Sequence, residues 1–353
     1  MDILFEHQRS TRPIVSIVLI DWSCRESFHI LEYLANQTVE RDKYEIIWIE
    51  YYDKRAREID LAIGKCRVLD QVPPLDKWIV LGMPQSQYYH KHLMYNVGIL
   101  ASSGEVITIC DSDAIVSRTF VASIIDSFAK DRNIVLHMDQ VRNREKHFYP
   151  FNYPSIAAVI RDGRTNMIDG KPAGLRDTRD PIHSRNYGAC MSAFREDLVA
   201  VGGADEHIDY LGYVCGPYEM TWRLNNWGKK EVWHDGEWTY HVWHPGQLGA
   251  DNYFGPHDGF HVSSTALTVR QSGRIFPLLE NPAIEALRRP EQKSGEYRMA
   301  LNAALSTRDF THWKVSKTRL ELLSLGKSLT RKFLPRKVKT YLRSRFPNVF
   351  KFA

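Results

Sequence analysis

Short apolar runs alternate with segments of helical period over the first 140 residues. The apolar runs are rich in β-branched residues and predict buried strands; they are Ile14–Ile20, Tyr44–Ile49, Trp78–Leu81, Val106–Cys110 and Ile134–Met138. The segments between them predict helices; they are Cys24–Gln37, Arg55–Gly64, a stretch from the N-cap Ser86 to Ala101, and Ser117–Phe128. Strands that alternate with helices predict an α/β fold with a wound, mostly parallel sheet flanked by helices.

Acidic side chains stand at the ends of three predicted strands. Asp21 follows the first strand, Glu50 follows the second, and Asp111 and Asp113 come directly after Val106–Cys110. In open α/β sheets, ligands bind beyond the carboxyl ends of the strands. Two carboxylates two residues apart suit Mg²⁺ or Mn²⁺, which keep positions open for water and phosphate. We therefore expect a cation site here, although the same residues also suit an ordinary turn.

Composition and length indicate a globular protein with a large core. The chain has 353 residues, 43% of them hydrophobic, and contains no apolar run near the roughly 20 residues that cross a bilayer. The first twelve residues are mixed and charged, which predicts no secretory signal. The five cysteines are odd in number and widely spaced: Cys24, Cys66, Cys110, Cys190 and Cys215. Reduced thiols in the cytoplasm are expected, rather than a disulfide framework or a zinc cluster.

The turn after the first predicted strand excludes two common nucleotide-binding classes. Residues 21–25 read Asp-Trp-Ser-Cys-Arg and contain no glycine. A dinucleotide-binding turn and a phosphate-cradling P-loop both need glycines at this point. Dinucleotide oxidoreductases and P-loop ATPases are therefore not expected.

The positive charge is concentrated at the C-terminal end. Residues 314–353 contain twelve Lys or Arg and one acid, Glu321, although the whole chain is only +5. From Pro335 to Pro347 the pattern predicts a helix with Val338, Tyr341, Leu342 and Phe346 on one side. Such a helix suits an anionic membrane surface, and a solvated helix packed on the rest of the protein is the alternative. No nucleic-acid-binding motif accompanies the charge.

The order of several segments resembles family 2 nucleotide-sugar glycosyltransferases of the GT-A type. The segments that carry the resemblance are Pro13–Val18, Tyr44–Glu50, Asn96–Ile99 with Ala101, Gly104–Glu105, Asp111–Asp113, Gly202–Glu206 and Glu219–Leu224. The resemblance spans about residues 13–228 and implies a GT-A-like fold.

For the donor side, the resemblance assigns roles to the acids at the strand ends. Glu50 would contact the base or ribose of the nucleotide, with Asp21 as a second contact. Asp111 and Asp113 would hold the Mn²⁺ or Mg²⁺ that binds the donor diphosphate, and Asp113 is the one that more often contacts the ion. A UDP-sugar is the expected donor. Asn96, on the preceding helix, would either face the nucleotide or cap and pack.

The catalytic base is where the sequence departs from the family pattern. The family usually supplies it from a Glu-Asp pair before a helix, but Gly216-Pro217 stand at that place and the nearest acid is Glu219. Glu219 is our first candidate for the base, with Asp205 and Glu206 in reserve. Because Arg223 lies four residues after Glu219, a surface ion pair is the alternative for that acid.

Aromatic residues and histidines are dense between Trp233 and His261. Related transferases often return a later histidine to the metal, so His241 and His244 are candidate ligands, and imidazole favours Mn²⁺ over Mg²⁺. The alternative is that these rings only pack. Exposed tryptophans also suit sugar binding, and Asp251–Gly259 is expected to be a loop that closes over the substrate.

The combined expectation is a metal-dependent, inverting glycosyltransferase acting on a glycan or lipid-linked acceptor in surface polysaccharide or glycoconjugate synthesis. Residues 1–270 would form the catalytic domain, with a nucleotide half at about 13–140 and an acceptor half at about 141–270. Residues 271–353 would form a helical basic extension that places the cytoplasmic protein on the inner face of the membrane. A catalytically silent sugar-nucleotide-binding or scaffold protein is the alternative, as is an adaptor driven by the tail.

Overall fold

The structure is a computed structural model of the 353-residue chain. It describes residues 1–21, 28–53, 56–84, 89–149, 153–162, 167–168, 171–172, 182, 185–211, 216–244, 256 and 262–288. Several predicted features lie outside the described residues: the first turn beyond Asp21, Ser86, the Asp251–Gly259 loop apart from Pro256, His261 and the basic tail.

An eight-stranded mixed sheet forms the centre of the described part of the fold. In chain order its strands are β1 (Asp2–Glu6), β2 (Val15–Asp21), β3 (Tyr44–Tyr52), β4 (Lys77–Met83), β5 (Val106–Asp111), β7 (Ile134–His137), β11 (Cys190–Phe194) and β12 (Lys230–Trp233). Their spatial order is β1-β4-β3-β2-β5-β11-β7-β12. Only β1 and β11 run antiparallel to their neighbours, so the prediction of a mostly parallel α/β sheet is confirmed.

Helices cover both faces of this sheet. In chain order the described helices are α1 (His29–Ala35), α2 (Arg57–Val68), α3 (Lys91–Ala101), α4 (Phe120–Lys130), α5 (Ile156–Asp162), α6 (Arg195–Ala200), α7 (Tyr218–Asn226), α8 (Ser264–Ser272) and α9 (Pro282–Arg288). Alternate residues of β2 enter two separate cores, because successive side chains of a strand point to opposite faces. Ile17 packs in a core with residues of α1, α2 and α4. Val18 packs in a core with residues of α3, α6 and α9.

Two smaller sheets complete the described fold. One joins β6 (Ile115–Val116), β13 (Thr239–His241) and β8 (Gln140–Arg142), with β13 in the middle. The other pairs β9 (Met167–Ile168) with β10 (Lys171–Pro172). The first matters for function, because it draws residues 239–241 next to the loop that follows β5.

The differences from the predicted elements are local. Helix α3 begins at Lys91, where the His90 side chain accepts a hydrogen bond from the Leu93 backbone, so the predicted start near Ser86 is too early. The described part of α1 begins at His29 rather than Cys24. Strand β1 was missed because its five residues are mixed in polarity and gain a partner only at the edge of β4.

Helix α9, which lies beyond residue 270, still packs into the core of the main sheet. Ala283 and Ile284 of α9 are buried in the same core as Leu198 and Met220. No helix among the described residues is both long enough and apolar enough to span a membrane.

Candidate functional site

Three acidic residues lie side by side at the carboxyl edge of the main sheet. Asp21 of β2 is in register with Glu50 of β3, and the neighbouring Ile20 is in register with Asp111 of β5. Asp21 and Glu50 are each only 2% exposed. The Trp78 indole N–H donates to Glu50 Oε1 at 3.0 Å. The parallel strands therefore place these carboxylates at one edge, as the sequence predicted.

Asp113 lies at the centre of a cluster with two histidines. Its Oδ2 atom is 3.1 Å from His241 Nε2 and 3.0 Å from His244 Nε2. One ligand atom from each of the three residues lies within 4.8 Å of the others. Asp113 and His244 are buried and His241 is half-buried. Two ring nitrogens and a carboxylate oxygen thus converge on a small volume beside the strand ends.

Local backbone pairing brings the cluster together. A turn closes after β5, with the Ala114 N–H donating to the Asp111 carbonyl at 3.3 Å. The chain then enters β6, where Ile115 pairs with Tyr240 of β13. Asp113 and His241 lie just outside this pairing on the same side of it. Residues that are 128 positions apart in the chain therefore become neighbours.

His29 stabilises the turn that contains Asp113 by contacting the backbone carbonyl of that residue. Its ring Nε2 lies 3.0 Å from the Asp113 carbonyl oxygen, and the side chain is 1% exposed. Burial lowers the pKa of His29 to about 4, against the opposing effect of Asp113. The neutral ring donates to the carbonyl and adds no positive charge to the cluster.

Asp111 is engaged differently from Asp113. Its Oδ1 atom is 3.3 Å from Lys91 Nζ, at the first turn of α3, and its side chain is 21% exposed. It does not belong to the Asp113, His241 and His244 group. The structure therefore places Asp113, and not Asp111, in the three-residue group, although the sequence analysis named both as ligands.

The donor set fits a divalent transition metal. A neutral imidazole with its proton on Nδ1 offers the Nε2 lone pair to a metal, and imidazole suits Mn²⁺, Zn²⁺ or Fe²⁺ better than Mg²⁺. Three protein ligands leave further coordination positions for a substrate. Both Nε2 atoms also lie at hydrogen-bonding distance from Asp113 Oδ2, so the same geometry fits rings that donate the Nε2 proton to this carboxylate. Metal binding requires that proton on Nδ1 instead.

Glu219 lies in a buried ion pair, so the alternative of a surface pair was wrong about its location. Glu219 Oε2 accepts from Arg223 Nε at 2.7 Å, and both side chains are fully buried. Glu219 Oε1 accepts from the Asp205 backbone N–H at 3.0 Å. Burial by itself would raise the pKa of Glu219, but the charges of Arg223 and His92 and the hydrogen bonds from Arg223 and the Asp205 backbone together lower it. The i, i+4 spacing gave the correct partner, but exposure depended on how α7 packs.

Arg223 extends this pair into the turn that follows α6. Its guanidinium donates to the carbonyl of Val201 at 2.6 Å and also to the carbonyl of Gly203. Gly202 and Gly203 both have positive φ, 84° and 67°. A Cβ atom at Gly203 would collide with the Asn96 side chain. The glycine pair therefore permits the close backbone approach that the sequence suggested.

The remaining acceptor-side acids belong to the same network. Asp205 accepts from the backbone N–H groups of Leu278 at 2.7 Å and Leu279 at 3.0 Å. Asn96 donates to Glu206 Oε1 at 2.8 Å and to the Ala204 carbonyl at 2.9 Å. Asp205, Glu206 and Asn96 are fully buried. These contacts match the packing alternative for Asn96 and tie α3 to residues 204–206.

Sequence reasoning missed three residues at this edge. Asp139 follows β7, is 1% exposed, and accepts from the Gln140 N–H at 2.9 Å; the rule that selected Asp21 and Glu50 also selects it. Lys91 and His29 had no signal of their own, because a single basic residue near a helix start indicates nothing about its partner.

No protein-family model and no curated protein matches the sequence. Solved structures do match: the mannosyltransferase PcManGT from Pyrobaculum calidifontis in complex with GDP-Man and Mn²⁺ has 13% identity and a TM-score of 0.44, covering 99% of this chain and 89% of that one. S. aureus TarS 1–349 in complex with UDP-GlcNAc has 13% identity and a TM-score of 0.45, covering 92% and 83%. GalNAc-T7 with UDP, GalNAc and Mn²⁺ has 14% identity and a TM-score of 0.49; the match covers 95% of this chain and only 58% of that one.

The first of these structures is named a mannosyltransferase, and the three contain GDP-Man, UDP-GlcNAc, or UDP with GalNAc. At this identity and TM-score the likeness is too weak to assign an activity. The fold and the site by themselves define a mixed α/β protein with an Asp/His/His group, able to hold a cation, beside three acidic strand ends.

Proposed function

We propose that the protein is a metal-dependent glycosyltransferase that moves a sugar from a nucleotide-sugar donor, a UDP-sugar in the first instance, to a glycan or lipid-linked acceptor. The observation that carries the proposal is the convergence of His241 and His244 on Asp113, next to the carboxyl ends of β2, β3 and β5. A cleft at this edge of an open α/β sheet is where nucleotides bind.

The residues on the β2 and β3 side suit the nucleoside. Glu50 is held by the Trp78 indole, and its carboxylate lies in register with Asp21. Carboxylates at this position accept hydrogen bonds from ribose hydroxyls or a base N–H. We propose that Glu50 and Asp21 bind the nucleoside and that Lys91 positions Asp111.

Asp113, His241 and His244 would hold the metal, with Mn²⁺ favoured over Mg²⁺ because two ligands are imidazoles. The bound cation would supply positive charge that stabilises the nucleotide diphosphate as it leaves. His29 keeps the Asp113 backbone in place by donating to its carbonyl. We propose that the domain with these residues includes α9, because Ala283 and Ile284 are part of its core.

We further propose that transfer inverts the anomeric centre, which requires a carboxylate to take the acceptor proton. The contacts of Glu219, Asp205 and Glu206 favour a supporting role for these acids over proton transfer. The same contacts favour a second candidate function, a sugar-nucleotide-binding protein without turnover. Synthesis of surface polysaccharide or glycoconjugates at the inner face of the membrane remains our proposal for the setting.

A thermal-shift panel of UDP-, GDP- and dTDP-sugars, each with and without Mn²⁺, tests the proposal. We expect one nucleotide class to raise the Tm only with Mn²⁺, and we expect Asp113→Asn to abolish that rise. Asp126→Asn, a charge change on the exposed face of α4, is the matched control. Release of free nucleotide with an acceptor extract separates transfer from binding alone. A shift that does not depend on Mn²⁺ would reject the metal-dependent transferase, and absence of any shift with or without Mn²⁺ would reject both functions.

A further inference from the structure

The segment from Val141 to Phe148, which begins in β8, presents a row of cations beside the candidate metal site. Val141, Asn143 and Phe148 are buried, whereas Arg142, Arg144 and Lys146 are exposed. The alternation follows from the extended backbone at the start of the segment, in which successive side chains point to opposite faces. Glu145 is the one acid between positions 142 and 147, so the segment carries a net positive charge.

Backbone pairing places this row next to the metal ligands. Arg142 is in register with His241 on the adjacent strand β13, and the Asn143 N–H donates to the His241 carbonyl at 2.8 Å. The Asn143 side chain donates to the Val159 carbonyl at 2.6 Å and accepts from the Glu145 N–H at 2.8 Å. The segment is therefore anchored to the fold, and its cations have a defined position.

An aromatic ring from the segment that carries the candidate ligands contacts one of these cations. Trp243 stands in the chain between the candidate ligands His241 and His244 and is half-buried. Lys146 Nζ lies 5.0 Å from the centre of its ring, and the Tyr149 ring meets it edge-on at 5.8 Å. A partly exposed indole with a flanking cation can cover the apolar face of a pyranose while the cation binds an anionic substituent.

The position of these cations relative to Asp21 and Glu50 indicates whether they lie on the donor side or on the acceptor side of the site. In the small sheet, β13 lies between β6, which follows Asp113, and β8, which carries Arg142. Asp21 and Glu50 stand on β2 and β3 of the main sheet, beyond β5. The row of cations thus reaches the cluster from the side away from the proposed nucleoside contacts.

We propose that Arg142, Arg144, Lys146 and Trp243 form an acceptor subsite that selects a sugar carrying an anionic group, a phosphate or a carboxylate. This inference rests on the proposed function, because it takes the metal cluster as the place of transfer. Arg144 and Lys146 bind the anionic group, and Trp243 packs against the sugar ring. Arg142, which is in register with His241, places the subsite next to the candidate metal ligands.

Binding of defined probes to the full-length protein, with UDP and Mn²⁺ present, tests the subsite. The probes are glucose 6-phosphate, glucuronate and neutral glucose, and vesicles of phosphatidylglycerol against phosphatidylcholine distinguish a lipid source of the anionic group from a soluble one. We expect the Arg144→Ala/Lys146→Ala variant to weaken binding of at least one anionic probe by about tenfold or more, the equivalent of about 1.4 kcal/mol. Lys65→Ala/Lys130→Ala, which removes two exposed charges from α2 and α4, is the matched control.

Trp243→Leu separates the contribution of the ring from that of the charges. We expect this variant to weaken binding of glucose 6-phosphate and to leave binding of inorganic phosphate unchanged. Equal binding of neutral and anionic sugars, equal effects of the two double variants, or no binding of any anionic probe would overturn the proposed subsite. The Mn²⁺-dependent thermal shift with UDP-sugar, measured on the same variants, shows separately whether the proposed function holds.

Discussion

Replacing Asp113 by asparagine is the most direct perturbation of the candidate site. The substitution preserves the size of the side chain and removes the only negative charge among the three candidate ligands. Asp113 Oδ2 lies 3.0 Å from His244 Nε2 and 3.1 Å from His241 Nε2, in a buried position. An asparagine retains contact with the imidazoles but attracts a dication much less strongly.

The expected loss of metal affinity can be estimated from these contacts. A polar contact to a charged group contributes roughly 1.5–3 kcal/mol, and 1.4 kcal/mol corresponds to about a tenfold change in Kd. We therefore expect Asp113→Asn to weaken Mn²⁺ binding by about 10- to 100-fold or more. Isothermal titration with Mn²⁺ measures the change directly, without any assumption about the donor.

Asp111→Asn is the informative comparison for this variant. Because Asp111 pairs with Lys91 and lies outside the cluster, its substitution should raise the Kd for Mn²⁺ much less than Asp113→Asn does. Asp126→Asn should leave the Kd unchanged. If Asp113→Asn bound Mn²⁺ like the wild type, or if Asp111→Asn were equally damaging, the assignment of the metal ligands would be refuted.

Three further predictions concern the framework around the site. Glu219→Gln leaves Arg223 as a buried charge without its partner, so the free energy of unfolding in urea titrations should fall by about 3 kcal/mol or more. Mn²⁺ binding should persist in this variant. Unchanged stability together with loss of sugar transfer would instead make Glu219 the catalytic base. Gly98→Ala places a methyl group against Val18 of the sheet and should lower the free energy of unfolding by about 1–3 kcal/mol. Gly64→Ala in α2, where no atom lies within 4 Å, should raise the free energy of unfolding by up to about 1 kcal/mol. Similar urea midpoints for the two variants would contradict this difference in packing. Burial lowers the pKa of His137 to about 4 from 6.5, so the unfolded chain takes up this proton at a higher pH than the folded chain, and His137 should by itself lower the free energy of unfolding by about 1.5 kcal/mol from pH 6.5 to pH 5. His29, whose pKa burial also lowers to about 4, should add a similar fall. His137→Asn should therefore lose about 1.5 kcal/mol less than the wild type over this range, and an equal pH dependence would refute the prediction.

The strand ends show how much of the site the sequence could predict. Asp21, Glu50 and Asp111 each follow an apolar run, and parallel strands necessarily bring their carboxyl ends to one edge. The resemblance to GT-A enzymes added His241 and His244 as candidate ligands. The pairing of β6 with β13 that brings His241 to Asp113 has no local signal, because each strand contributes only two or three residues to it.

The acids named as candidate bases illustrate what the sequence could not predict. Glu219, Asp205 and Glu206 are charged residues near a glycine pair, a pattern equally typical of an exposed catalytic loop and of a buried network. Which of the two forms depends on where α7, α9 and the backbone of residues 277–279 pack. That arrangement is set by contacts between distant segments, so it cannot be read from spacing.

By itself, therefore, the sequence determined the order of the main strands and helices between residues 14 and 138, the mostly parallel sheet, and Asp21, Glu50 and Asp111 at its edge, because these follow from local periodicity and strand direction. The tertiary structure decided that Asp113 rather than Asp111 meets the two histidines, and that Arg142 lies beside His241. It also decided that Glu219 and Arg223 are enclosed. The physical reason is the same in each case: charge, burial and metal-ligand distance depend on which distant segments pack together, and local sequence pattern carries no record of that packing.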